Sequence, residues 1–128
     1  KILISNAHGD LSPWNYFITN SKLFIFDYEN SQSNLPISYD LIKLSSEFVS
    51  FDDKFFQNFC ENLILRYFRF FGFNFKPSDI TKYLVISLIC YYNLNNRINN
   101  NNFINESIKI KSLIKTISNS KKINYSAH

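Results

Sequence analysis

His8-Gly9-Asp10-Leu11-Ser12-Pro13-Trp14-Asn15, "HGDLSPWN", and Phe24-Ile25-Phe26-Asp27 a little downstream bracket a short segment rich in aromatic and β-branched residues. Between them, Tyr16-Phe17-Ile18 and Leu23-Phe24-Ile25-Phe26 flank Thr19-Asn20-Ser21-Lys22, a polar turn cluster. Two short aromatic and β-branched runs about such a cluster predict a β-hairpin. Asn15 precedes the first run and Asp27 follows the second, so closing the hairpin carries both to its open end. Asp10 lies in the loop that feeds this end. Local sequence therefore gathers three polar groups in one place.

Working outward, Ile2-Leu3-Ile4 is a brief apolar run leading into the loop, and Ser31 to Ser38, polar and containing Pro36, reads as a loop. A short helix is expected from about Tyr39 to Phe48, with Ser38 as its N-cap. Asp52 to Phe71 is the clearest helix. Phe55, Phe59, Leu63, Tyr67 and Phe71 mark its core face, and Gln57, Asn58, Glu61, Asn62, Arg66 and Arg69 the other. Gly72 sits where a helix C-terminus wants a residue tolerant of positive φ. Pro77-Ser78-Asp79 starts a further helix to about Asn93, apolar nearly all round between Tyr83 and Tyr92 and so central. Asn99 to Asn102 reads as a low-complexity loop. Ile110, Leu113, Ile114 and Ile117 mark a last amphipathic helix, with Lys109, Lys111 and Lys115 outward and fraying expected from about Ser118. The fold class is α+β, predominantly α: a loop and hairpin over residues 1–30, then helices over 38–118.

At 128 residues the chain is one domain's worth, enough for a hydrophobic core. It is rich in Phe and Tyr, nearly free of Gly and without Met; a chain that begins at Lys1 is expected to be a fragment or an excised domain. Charge is divided: residues 1–64 hold four Lys/Arg against eight Asp/Glu, and residues 65–128 hold ten against two. The acidic half suits a metal site, while scattered Lys among apolar positions reads as a solvated surface rather than a nucleic-acid interface. Cys60 and Cys90 have no ligand spacing and read as reduced thiols, which fits a cytoplasmic protein. The longest apolar run, Tyr83 to Tyr92, is too short to span a bilayer, so no membrane span is expected.

Phosphoryl transfer asks a protein to position a nucleophilic hydroxyl, accept its proton and hold Mg²⁺ on the phosphates. That needs a carboxylate beside the hydroxyl and oxygen ligands for a hard cation. The recurring arrangement is H-x-D-x-x-x-x-N, then a second Asp after the next hairpin. His8, Asp10 and Asn15 fit it position for position, and Phe24-Ile25-Phe26-Asp27 supplies the second carboxylate.

From about Ile4 to Leu44 the chain resembles the catalytic core of the aminoglycoside phosphotransferase and choline kinase superfamily, protein-kinase-like enzymes that phosphorylate small molecules. The resemblance rests on "HGDLSPWN", "FIFDYE" and "YDL" and covers about a third of the chain. It implies the C-terminal lobe of a protein-kinase-like fold spanning residues 1–128, with the N-terminal nucleotide-binding lobe absent from this stretch. It implies ATP as donor, Mg²⁺ as cofactor and a hydroxyl of a sugar, amino alcohol or aminoglycoside as acceptor. Asp10 would be the catalytic base, Asn15 and Asp27 would hold Mg²⁺, His8 would brace the loop and Asp40 would tether it. Glu29 is a further candidate for a metal or substrate contact, equally readable as an exposed loop carboxylate. Gly9 stands where many protein kinases carry an Arg, and the short span from Asp27 to Asp40 leaves no room for a long activation segment. Both favour a small-molecule kinase.

Competing readings are weaker. His8 as a metal ligand lacks partners, because the only other histidine is His128. A Ser12–His8–Asp10 triad places its members too close in sequence to aim at one another. Trp14 reads as a packing residue. The rival from another class is a non-catalytic pseudokinase remnant or partner-binding module, favoured by the missing nucleotide-binding lobe.

Overall fold

The computed structural model describes residues 2–51, 54–96 and 103–125, with side chains described to residue 120. It is an α+β structure dominated by helices. Strands β1 (Ile4–Ala7), β2 (Tyr16–Thr19), β3 (Lys22–Ile25) and β4 (Gln32–Pro36) come first. Helices α1 (Tyr39–Ser46), α2 (Lys54–Phe70), α3 (Pro77–Asn96) and α4 (Phe103–Tyr125) follow. The strands make two separate antiparallel pairs, β1 with β4 and β2 with β3.

The β2–β3 hairpin closes through a two-residue turn, with Thr19 paired to Lys22. Asn20 and Ser21 both take positive φ, 49° and 59°. This is the type I′ geometry that matches the twist of paired strands, and Asn tolerates it well. Phe17 and Phe24 face each other across the pair and stack at 5.0 Å between ring centroids.

Residues 31–38, expected as a loop, contain a strand instead. β4 pairs with β1 through Ile4–Pro36, Ser5–Leu35 and Ala7–Gln32. An irregularity between Ser5 and Ala7 leaves β4 one residue longer than its partner there, with Asn34 at φ 61°. Such a bulge lets a polar, proline-ended segment pair at an edge. Its strand character comes from β1, not from its own composition.

Ser38 precedes α1 but does not cap it with its side chain. Its buried hydroxyl bonds that of Ser87 on α3 at 2.7 Å, and the Ser38 carbonyl accepts from the Ile42 N–H. α1 ends at Ser46, two residues short of the expected Phe48.

The start expected for α2 at Asp52 lies outside the described residues. Its buried face is Phe56, Cys60, Ile64 and Phe68, one position on from the expected stripe. Phe55 is 60% exposed and Phe71 56%. Both series repeat every four residues and both are apolar, so periodicity alone does not choose between them; contact with α3 does. Phe68 meets the Tyr83 and Phe75 rings at 4.7 and 4.8 Å. At the end of α2, Gly72 at φ 79° donates to the Arg69 carbonyl and Phe73 to that of Phe68. This paired Schellman closure satisfies carbonyls that the last turn leaves open.

α3 begins with Pro77 at its first position, where a missing N–H costs nothing. It runs three residues beyond the expected Asn93 and packs against α1, α2, α4 and β4, so it is the central element. Tyr83, Leu84, Leu88 and Tyr91 are buried along it. The Tyr83 hydroxyl also accepts from the Leu3 N–H at 2.9 Å, holding the segment before β1. α4 buries Ile110, Leu113 and Ile117 and extends as helix past Ser118 to Tyr125. The Asn99–Asn102 stretch lies outside the described residues. Among the described residues no helix is long and apolar enough to cross a membrane.

Candidate active site

The loop after β1 is stitched to α1 and to the end of β3. Asp40, in the first turn of α1, receives the His8 N–H on Oδ2 at 2.7 Å and the Gly9 N–H on Oδ1 at 3.0 Å. One carboxylate thus satisfies two consecutive amides across thirty-odd residues of chain. His8 is buried, and its ring is engaged at both nitrogens. The Asp10 N–H reaches Nδ1 at 3.3 Å, and Nε2 lies 2.7 Å from the Phe26 carbonyl oxygen. Since Nδ1 accepts, the proton sits on Nε2, which donates to Phe26. The imidazole therefore bridges the loop to the end of β3, with Tyr28 tilted against it at 4.6 Å. With both nitrogens so used, no serine-hydrolase arrangement with Ser12 exists.

Gly9 shows why this loop needs glycine. Its φ is 87°, and a Cβ there would stand 2.0 Å from the Asn30 carbonyl oxygen. No side chain fits, Arg least of all.

Asn15 is buried at the end of a single 3₁₀ turn, Pro13–Asn15. Its carbonyl accepts from the Phe26 N–H at 3.0 Å, extending the hairpin by one step and bringing Asp27 to the adjoining position. Its Nδ2 points back at Asp10, 2.9 Å from the backbone oxygen and 3.4 Å from Oδ2. That orientation turns Oδ1 away from Asp10 as an oxygen donor. Asp27 is exposed, in the left-handed region at φ 63° and ψ 59°, and makes no side-chain capping bond to the short turn Tyr28–Asn30. Glu29, in that turn, is exposed. Trp14 is 78% exposed, so it is not the packing residue expected. Of the turn Pro13–Asn15, only Asn15 is buried, and Trp14 faces outward.

The Asp10 side chain, 40% exposed, has a partner that sequence reasoning missed. Lys43 Nζ lies 3.2 Å from Asp10 Oδ1 and also pairs with Glu47. Burial pulls the Lys43 pKa down, but the Glu47 hydrogen bond, Tyr91 and the bond to Asp10 outweigh it, leaving the ammonium above its ordinary value. The signal was present in the sequence: Asp40, Lys43 and Glu47 recur at helical spacing, so one face of α1 carries the loop's tether and the partner of Asp10.

Beside Asp10 opens a cavity of about 450 Å³, within the range of small-molecule sites. Gly9, Asp10, Asn30, Gln32, Tyr39, Lys43, Leu94 and Asn95 line it. A larger cavity of about 560 Å³ lies between α2 and α4, remote from this loop, and its described walls offer lysine and hydroxyl groups but no carboxylate.

Among the described residues no cluster of three or more His, Cys, Asp or Glu is arranged to hold a metal. Mg²⁺ does not require one, since it commonly takes one or two protein oxygens together with phosphate oxygens and water. Asn15 Oδ1 and the Asp27 carboxylate are hard oxygen donors of that kind. Comparison of the chain with protein-family models, with curated proteins and with solved structures yields no match.

Proposed function

We propose that this chain carries the catalytic loop of an ATP-dependent phosphotransferase acting on a small-molecule hydroxyl, as the C-terminal lobe of a kinase-like domain. The observation that carries the reading is that Asn15 ties the loop of Asp10 to the hairpin step that precedes Asp27. Asn15 is bonded to Asp10 through its side chain, and to Phe26, the neighbour of Asp27, through its carbonyl.

The acceptor enters the cavity beside Asp10 and presents a hydroxyl to its carboxylate. Asp10 takes the hydroxyl proton while the hydroxyl oxygen bonds to the γ-phosphorus of ATP and the bond to the β–γ bridging oxygen breaks, releasing ADP. Lys43 on Oδ1 and the Asn15 amide near Oδ2 fix the carboxylate's orientation. Asp40 and His8 hold the loop against α1 and β3, so the base is positioned before substrate arrives. Asn15 and Asp27 would hold Mg²⁺, which when bound neutralises phosphate charge.

The test is Mg·ATP-dependent phosphorylation of a panel of hydroxyl acceptors by the full chain, joined to its upstream lobe where the coding DNA supplies one. Asp10→Asn should lower turnover by roughly 10²–10⁴-fold, the range for a lost general base. Unchanged turnover in Asp10→Asn, or no transfer to any hydroxyl, sinks the reading.

One observation favours the rival, a non-catalytic partner-binding module. The hairpin leaves Phe17, Phe24 and Phe26 substantially exposed on one face and Ile18 and Leu23 on the other, more apolar surface than a free hairpin ordinarily shows. In that case binding of a partner would survive Asp10→Asn and be lost on Phe17→Ser.

A further inference from the structure

The walls of the cavity beside Asp10 carry information about what it accepts. Its only charged side chains among the described residues are Asp10 and Lys43, and these are bound to each other at 3.2 Å. The one described carboxylate a cationic acceptor would meet is thus already engaged on Oδ1 by an ammonium, which Glu47 shares. The described walls form no aromatic cage for a quaternary ammonium, which needs several ring faces turned to the ligand. Among the described residues Tyr39 is the only aromatic one in the walls, and it is 2% exposed.

What the walls do offer is amide chemistry. Asn30 and Gln32 are exposed on the turn and strand that pass the cavity, each with both an acceptor oxygen and a donor NH₂. Asn95 spends its NH₂ on the Tyr91 carbonyl at 2.8 Å, which leaves its oxygen as an acceptor. Leu94 beside it gives a small apolar surface. A hydroxyl both donates and accepts, so a ring of hydroxyls matches alternating amide oxygens and NH₂ groups. The C–H face of such a ring matches Leu94.

We propose that this cavity selects a neutral polyhydroxylated molecule, a sugar or cyclitol, and discriminates against ammonium-bearing acceptors. The role of that molecule as acceptor rests on the phosphotransferase reading; its binding does not.

The experiment is therefore a binding measurement on the full chain. Methyl α-D-glucopyranoside and myo-inositol serve as neutral probes, choline and neamine as cationic ones. The side-chain amide ¹⁵N–¹H signals of Asn30, Gln32 and Asn95 are followed in each titration. The neutral probes should shift these signals and the cations should not. Gln32→Leu, at an exposed position where folding is not at issue, and Asn95→Leu should each weaken neutral binding by about tenfold, the effect of one lost hydrogen bond. Lys43→Met frees the Asp10 carboxylate and should raise choline affinity by about threefold to fivefold, as an exposed ion pair does. Tighter binding of choline or neamine than of the neutral probes to the unsubstituted chain overturns the proposal. So does silence of the three amides toward both neutral probes, or neutral binding indifferent to Gln32→Leu and Asn95→Leu. Neutral binding at these amides with no phosphoryl transfer leaves the proposal standing and removes the catalytic reading instead.

Discussion

Replacing Asp40 by Ala should detach the loop from the helix that holds it. The carboxylate receives two backbone N–H groups, His8 at 2.7 Å and Gly9 at 3.0 Å, both partly buried. A hydrogen bond to a charged group contributes about 1.5–3 kcal/mol, and losing the acceptor leaves the donor's desolvation uncompensated. Two bonds to one group are not independent, so the loss should be about 3 kcal/mol rather than their full sum. For a domain of this size that is a fall in Tm of roughly 10 °C. Asp40→Asn keeps one acceptor oxygen but turns an NH₂ toward the other amide, and should fall between Ala and wild type. Urea and thermal unfolding followed by circular dichroism give the magnitude. Amide hydrogen exchange at His8 and Gly9 locates it, because these two amides should lose protection before the helices do. A loss below about 0.5 kcal/mol, the range of ordinary surface changes, with both amides still protected, would refute the tether.

Gly9→Ala combines a left-handed backbone with a Cβ 2.0 Å from the Asn30 carbonyl; it should destabilise by at least about 2 kcal/mol in the same unfolding assay, of which about 1–2 is backbone conformation alone. Phe56→Ala, at a fully buried position, should cost about 3–5 kcal/mol, while Phe55→Ala, 60% exposed, should cost under about 1; equal losses would return the core of α2 to the other stripe. Burial pushes the Cys60 thiol up to about 12 from an ordinary 9.0. The unfolded chain therefore gives up this proton first. Stability should be whole below about pH 9 and decline as pH rises toward the folded value, with buried Tyr39 and Tyr91, also raised, adding to the decline at higher pH. Urea midpoints measured from about pH 7 to 10.5 should show this slope, and Cys60→Ala should flatten its first part.

The hairpin was legible because its turn residues and flanking runs are local signals, and Asn20 and Ser21 adopt the conformation those signals call for. Gly72 and Pro77 likewise announce a helix end and a helix start through their own backbone chemistry. β4 was not legible: Gln32-Ser33-Asn34 has no strand character until β1 lies beside it. The stripe of α2 was half legible, since Phe55 and Phe56 head two apolar series of equal period and only the Tyr83 and Phe75 rings decide which turns inward. At the site, spacing placed Asp10, Asn15 and Asp27 at one end of the hairpin because the hairpin itself was readable. Lys43 escaped because its partner is remote in the chain, and a lysine on a helix is ordinarily a solvated one.

The bond from Leu3 N–H to the Tyr83 hydroxyl has a consequence for the order in which the molecule assembles. The segment that leads into β1 is fixed by α3, some eighty residues later, and closing so long a loop has an entropic cost that local contacts do not repay. The β2–β3 hairpin and the individual helices rest on near-neighbour contacts and can form early. The loop bearing Asp10, by contrast, depends on α1 through Asp40 and on β1, and β1 follows directly on the segment that α3 holds. The segment that precedes β1 is thus among the last to settle, and a chain truncated before Tyr83 would lose the anchor of that segment.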